Sequence, residues 1–282
     1  MAAPPEAEMD TRIQRIRFAV IWATAALPNG NASARTARIT VTNTNDSGSG
    51  SLRQELTDAH DGDFINFAAA LNGQTIILTS GELFVNKSIT IAGPGAANLS
   101  VDANGMSGVL HIGSGTTVST SGLTIIDGNR FFPNDGNGGG VLNDDVNSDQ
   151  CAVGPNGADN GGGIYSDGSN GSVTLRIINC TVSGNFSPFG GGIFNDGYEG
   201  SAALTIVDSA VNDNLSTNGN PPYDFGSAGG IASFYGTVTI TNSTISGNSA
   251  SNDGGGILYG GTLTITNSTI SGNRAGGVGQ NN

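Results

Sequence analysis

Apolar and polar residues alternate in short bursts along this chain, and the bursts recur. Leu263 and Ile265 are flanked by Thr262, Thr264 and Thr266. That is the period-two pattern of a β-branched strand with one buried face. Residues 238–248 read VTITNSTISGN and residues 263–273 read LTITNSTISGN, with worn copies at 173–185 (VTLRIINCTVSGN), 204–214 (LTIVDSAVNDN) and 123–129 (LTIIDGN). Between them lie glycine runs that end on Val141, Ile164, Ile193, Ile231, Ile257 and Val278. The closing asparagine recurs at 185, 214, 248 and 273, in steps of 29, 34 and 25 residues. Periods of this length that vary by insertion belong to a solenoid with one supersecondary unit per coil.

The strand chemistry selects the kind of solenoid. Ile265 and Ile270 are an odd number of residues apart and would face opposite sides of a straight strand, so a bend at Asn267-Ser268 is needed to turn both inward. Gly272-Asn273 supplies a second corner, because Gly and Asn accept positive φ cheaply. Each coil is expected to hold about three short strands, paired in parallel with the next coil. Inward Ile, Leu and Val then form a dry core, and corner asparagines stack as a hydrogen-bonded ladder. The fold class is therefore all-β, a right-handed single-stranded parallel β-helix. At its N-terminal edge residues 51–60, SLRQELTDAH, predict a short capping helix, with Ser51 and Gln54 as a capping box and Leu52, Leu56 and Ala59 on one face. Strands are expected at 64–67, 75–79 and 88–91. At the other end residues 275–278 open a further coil, an uncapped edge that implies a longer parent chain or self-association.

Composition narrows the setting. The 282 residues include 46 glycines without a collagen period, only 12% are charged, and the net charge is −13. Glu6, Glu8 and Asp10 cancel Arg12, Arg15 and Arg17, so the acidity belongs to the rest of the chain. Such a surface repels phosphate backbones and excludes nucleic acid as a partner. The arginines precede an apolar run at 18–27, then Pro28 and the small-residue site Ala32-Ser33-Ala34, which together read as a secretory signal over residues 1–34. The competing reading is an amphipathic helix packed on the domain. The run is too short to span a bilayer. Residues 35–282 are then one β-helix domain, with cap and first coil at 35–72, further coils at 73–282 and a loop insertion at about 131–160. The expected location is secreted, extracellular or on the outer-membrane surface. Cys151 and Cys180 either pair in that oxidising setting or serve as small packed residues, since Ser243 and Ser268 fill the slot of Cys180 elsewhere. Glycosylation sequons, at Asn86, Asn98, Asn214 and Asn242 among others, arise readily in so Asn-rich a repeat.

Taken together, SGSLRQEL at 49–56, DFINF at 63–67, ITIAGPGAANLSVDANG at 89–105 and VLHIGSGTTVSTSGLTI at 109–125 resemble the N-terminal SLREAI-type motif and early coils of bacterial secreted and surface β-helix repeat proteins. The later GGGI and TISGN units resemble the GGAI and FxxN repeats of polymorphic outer-membrane proteins, with the Phe of FxxN replaced. The resemblance runs from about Ile39 and implies fold and export more than function. The chain departs from it in lacking a Cys before Ser51 and a recognisable C-terminal anchor or transporter domain.

Three constellations could carry chemistry. Asp135, Asp144, Asp145, Asp149 and Asp159 crowd the irregular segment, either as a solvated acidic loop or as a calcium site, calcium being the one cofactor so many carboxylates would take. The pectate-lyase-like superfold implies an Arg base beside such a calcium, and Arg176, expected to point outward between Leu175 and Ile177, is the candidate. Asp144 and Asp145 would face opposite ways on a strand, which suits polygalacturonase-like paired-carboxylate hydrolysis poorly. Of the histidines, His60 is expected to end the capping helix and His111 to lie on a strand. Tyr165, Phe194 and Leu258 each follow an inward aliphatic residue, so alternation stacks them in an outer stripe, as a ligand platform or covered by a loop. The leading expectation is a structural or adhesin-like module presenting loops to glycans or a surface protein. The competing class is a polysaccharide lyase or glycoside hydrolase, with Arg176 and Asp145 as its catalytic candidates.

Overall fold

The computed structural model describes residues 36–131, 136–143, 146–149, 151–169, 171–217 and 228–276, with the backbone alone described at 146–149. The expected signal segment lies outside these. The described chain is a parallel β-solenoid of about eight turns with one α-helix. One coil shows the plan. Ile164–Asp167 forms the first face and Ser172–Ile178 the second. Asn179, at φ +52°, turns the corner into Thr181–Ser183 on the third face. Gly184, at φ +67°, turns again into a narrow fourth face at Phe186, and Gly190 returns the chain to Ile193–Asp196. The first and second faces join as a 14-stranded sheet because Ile231–Thr241 and Ile257–Thr266 run through the bend between them, while the third face is an eight-stranded sheet of its own.

Inward residues stack coil on coil. Ile177, Ile206, Ile240 and Ile265 form one row, and Val182, Val211, Ile245 and Ile270 another. Ile240 and Ile245 are both fully buried, so the bend at Asn242, φ +51°, does bring oddly spaced isoleucines to one interior. In the last described coil their equivalents Ile265 and Ile270 are 39% and 47% exposed, since nothing described lies beyond them.

The segment 131–160, expected as a loop insertion, instead carries Val141–Asn143, Val146–Asp149, Ala152–Val153 and Gly157–Ala158, all paired into the sheets. Strands this short hold because coils on either side supply partners for them, yet they show too few alternations to stand out in a polar sequence. The strand expected at 64–67 is Phe64–Phe67; those expected at 75–79 and 88–91 shift to Gln74–Ile77 and Thr90–Ala92.

The capping helix, α1, spans Leu52–Asp58 and buries Leu52 and Leu56 over the first coils. Half of the expected capping box forms: Ser51 Oγ accepts from Gln54 N at 3.2 Å, while Gln54 Nε2 donates to Asp58 and Glu55 receives Gly50 N. Lys87 Nζ donates to the Thr57 carbonyl near the helix end, and His60 lies just past it with its side chain 88% exposed. Arg53 fastens the helix, donating to the carbonyls of Gly81 and Glu82 and to Asp46 Oδ1 at 2.7 Å. Burial opposes the charge on Asp46, but hydrogen bonds from Ser80, Arg53 and Thr79 and the Arg53 charge outweigh it and lower its pKa from 3.8 to about 2. A depressed carboxylate stabilises the fold above its unfolded pKa and loses that contribution as pH falls through its folded value. Relative to Asp46→Asn, the native chain should therefore be more stable at pH 5, on the order of 1 kcal/mol after allowance for solvent screening. That difference should vanish near pH 2. Paired urea titrations would read it, and a constant gap across this range would remove the assignment.

Candidate functional site

An open groove of about 380 Å³ runs along the corner between the third and fourth faces. Asn104 and Asp127 stand on its rim at φ +55° and +53°. Asp102 Oδ1 accepts from Asn104 N at 2.6 Å and so holds one turn. Asp127 occupies the corner row that Gly184, Gly247 and Gly272 fill in later coils, and its N–H donates to the Pro155 carbonyl. Phe131 and Phe186 supply the aromatic wall, with ring centroids 5.8 Å apart and tilted by 47°. Phe186 is in register with Gly157, and a side chain at Gly157 would come within 2.8 Å of the Phe131 ring. The glycine therefore makes room for the pair. Asn129 points to the groove from the short strand Asn129–Arg130.

Alternation on that strand sends Arg130 the other way, where it is 4% exposed. It rests over Gly108 and meets the Glu82 carboxylate, whose other oxygen lies 3.0 Å from His111 Nδ1. Arg130 Nη1 also donates to the Asn137 carbonyl. His111 is on a strand as expected, with Phe84 packed edge-on at 4.9 Å. Fixing one imidazole nitrogen by a carboxylate is how proton-transfer dyads are held. Here the same carboxylate also neutralises a buried guanidinium, and the cluster ties successive coils together.

The lyase candidates do not converge among the described residues. Arg176 is exposed on the second face, in register with Asn147 and Thr205. Asp135, Asp144 and Asp145 lie outside the described residues. Asp149 pairs through its backbone with Ser121 and Ile178, whereas Asp159 follows Gly157–Ala158 on the fourth face, its carbonyl accepting from Ser187 Oγ. Among the described residues no three potential metal ligands come together.

The stripe stacks in the expected register, Leu142, Tyr165, Phe194, Ala232 and Leu258, but it is covered. Tyr165 and Phe194 are 6% and 7% exposed, with Phe194 packed 5.5 Å from Phe234 and 6.4 Å from Phe189. The Tyr165 hydroxyl donates to Asp196. This is a second small hydrophobic core on the outside of the first face. Phe189, beside a glycine run, and Phe234, just ahead of the register shift in Ile231–Thr241, do the covering, at places where periodicity gives no warning.

Cys151 and Cys180 are thiols in a row continued by Ser209, Ser243 and Ser268. Each residue's N–H donates to the next side chain: Cys151 N to Cys180 Sγ at 3.2 Å, then Cys180, Ser209 and Ser243 N to serine Oγ at 3.1 Å. Cys180 Sγ thus acts as a small acceptor at a corner, and Cys151 is buried in the same row. Among the sequons, Asn214 is buried in the asparagine ladder, while Asn86, Asn98 and Asn242 are exposed. The groove residues Asn104, Asp127, Phe131 and Phe186 went unread in the sequence. The available signal was that Phe186 directly follows a ladder asparagine and so must sit on the fourth face. Among the described residues no helix is long and apolar enough to cross a membrane. No protein-family model and no curated protein matches this chain.

Proposed function

We propose that this chain is a structural, adhesin-like β-solenoid module, secreted or displayed at a cell surface, whose groove at Phe131 and Phe186 binds a polysaccharide. The groove itself carries the reading. Two tilted rings offer apolar faces to the C–H side of a sugar ring. Asn104, Asp127 and Asn129 stand beside them with amide and carboxylate groups suited to sugar hydroxyls. A parallel solenoid supports this use because every coil is held by its neighbours, which keeps surface side chains at fixed spacings.

The net charge of −13 favours neutral glycans over polyuronates. Calorimetric titration of the full chain with neutral oligosaccharides and with oligogalacturonate should show binding to the former. Phe186→Ala should weaken it roughly tenfold, the scale of one lost aromatic contact. Its melting transition should stay in place, because the Phe186 ring is only partly buried. Unchanged affinity in Phe186→Ala, or binding confined to the acidic oligomer, would overturn the proposal. New reducing or unsaturated ends in the same mixtures would move the protein to the enzymatic class.

A further inference from the structure

The outward side of the second face carries a surface that the groove does not use. Ile231–Thr241 and Ile257–Thr266 place Thr237, Thr239 and Thr241 directly beside Thr262, Thr264 and Thr266. Thr205 extends the middle row by one coil. Val238 and Ile240, between the threonines, are buried at 1% or less, which anchors the sheet beneath the array. The sheet's one register shift, between Phe234 and Thr237, falls before the array begins. Spacing is therefore that of regular strands, roughly 4.8 Å from coil to coil and roughly 6.7 Å along each strand.

Among the described residues none of these six hydroxyls has a hydrogen-bond partner in the protein. None of the array positions is charged, in a chain that is otherwise strongly acidic, and Arg176 interrupts the middle row only beyond Thr205. Each threonine presents a methyl and a hydroxyl from a β-branched side chain with few rotamers, so the groups stand in ranks before anything binds. A small ligand would engage one or two of them. Only a partner that itself repeats in two dimensions can engage all.

We infer that this threonine array is an ice-binding surface, with ordered water or the face of an ice crystal as its ligand. The coil-to-coil spacing is close to the oxygen repeat along the surface of ice. Methyl groups with hydroxyls between them suit water that is caged and hydrogen-bonded at once. A crystalline polysaccharide is the other repeating solid, but its flat sugar rings are gripped by aromatic faces, and the array contains none. Exposed Tyr235 and Tyr259 lie on the same two strands, before the array.

The full chain should slow ice recrystallisation and shape growing ice crystals. Thr239→Tyr and Thr264→Tyr should lose most of that effect, because a bulky ring lifts the face away from the lattice. Both positions point outward, so the melting transition should be kept. Phe186→Ala, a groove variant, should retain full ice activity, which separates this inference from the glycan proposal. It is overturned if the unsubstituted chain leaves ice growth unaltered, or if the tyrosine variants match it. It is equally overturned if the array variants lose adsorption to microcrystalline cellulose while no ice effect exists.

Discussion

Replacing Asn214 with alanine is expected to cost about 3 kcal/mol or more of unfolding free energy, although no ligand touches it. Asn214 Oδ1 accepts from the backbone N–H of Asn185 at 3.0 Å and from Asn185 Nδ2 at 2.9 Å. Its Nδ2 donates to Asn248 Oδ1 at 2.9 Å and to the Val182 carbonyl at 3.0 Å. Truncation strands a buried backbone donor, a side-chain amide and a backbone carbonyl at once, and water cannot replace the partner, because Asn185 and Asn248 are wholly buried. The ladder's last member makes the comparison. Asn273 is partly exposed, so Asn273→Ala leaves Asn248 open to hydration and should cost clearly less. Urea titrations of the two variants would decide it, and equal losses would mean that the ladder has no cooperative interior.

The same ladder marks where the sequence could be read and where it could not. The asparagines at 185, 214, 248 and 273 are spaced by coils, so their stacking follows from the repeat alone. Asn156 belongs to the row as well, donating to Asn185 Oδ1, but its coil lacks the TISGN signature. Gly128, rather than Asn129, holds the next position, since Gly128 N donates to Asn156 Oδ1 and Asn129 pairs with Gly157. One residue of register is invisible in a worn repeat. The bend between Ile240 and Ile245 was legible because an odd spacing of two core residues has only one geometric remedy. For Tyr165 and Phe194 alternation left exposure and cover both open, because it assigns a residue to the outside of a sheet and is silent on what else packs there. The groove escaped for a related reason: Phe131 and Phe186 meet across a coil step, and their proximity depends on Gly157 having no side chain.

Gly192→Ala is expected to be as damaging as the loss of a ladder asparagine, and the reason joins the two halves of the repeat. The three glycines of a run meet different demands. Gly190 adopts φ +64°, where an alanine pays about 1–2 kcal/mol of backbone strain, and a Cβ there would also run into the Ile193 carbonyl oxygen. Gly192 has no such dihedral requirement. A Cβ there would lie 2.7 Å from the Gly230 carbonyl oxygen and 2.9 Å from Asn214 Nδ2. Its counterparts meet the ladder in the same way: Gly163 faces Asn185, Gly230 faces Asn248 and Gly256 faces Asn273. The third glycine of each run is thus the floor on which a ladder asparagine lies, which is why the GGGI and SGN units travel together along the chain. Neither the backbone carbonyl nor the four-bonded amide can retreat, so overpacking of about 3 kcal/mol is expected at Gly192, against less than about 2 kcal/mol at Gly272, which has φ +63° but whose Cβ would meet nothing closer than 3.8 Å. Urea midpoints for the two alanine variants test that order. If Gly272→Ala proved the worse, conformational freedom would outweigh packing at these glycines, and the pairing of glycine with asparagine would have no energetic basis.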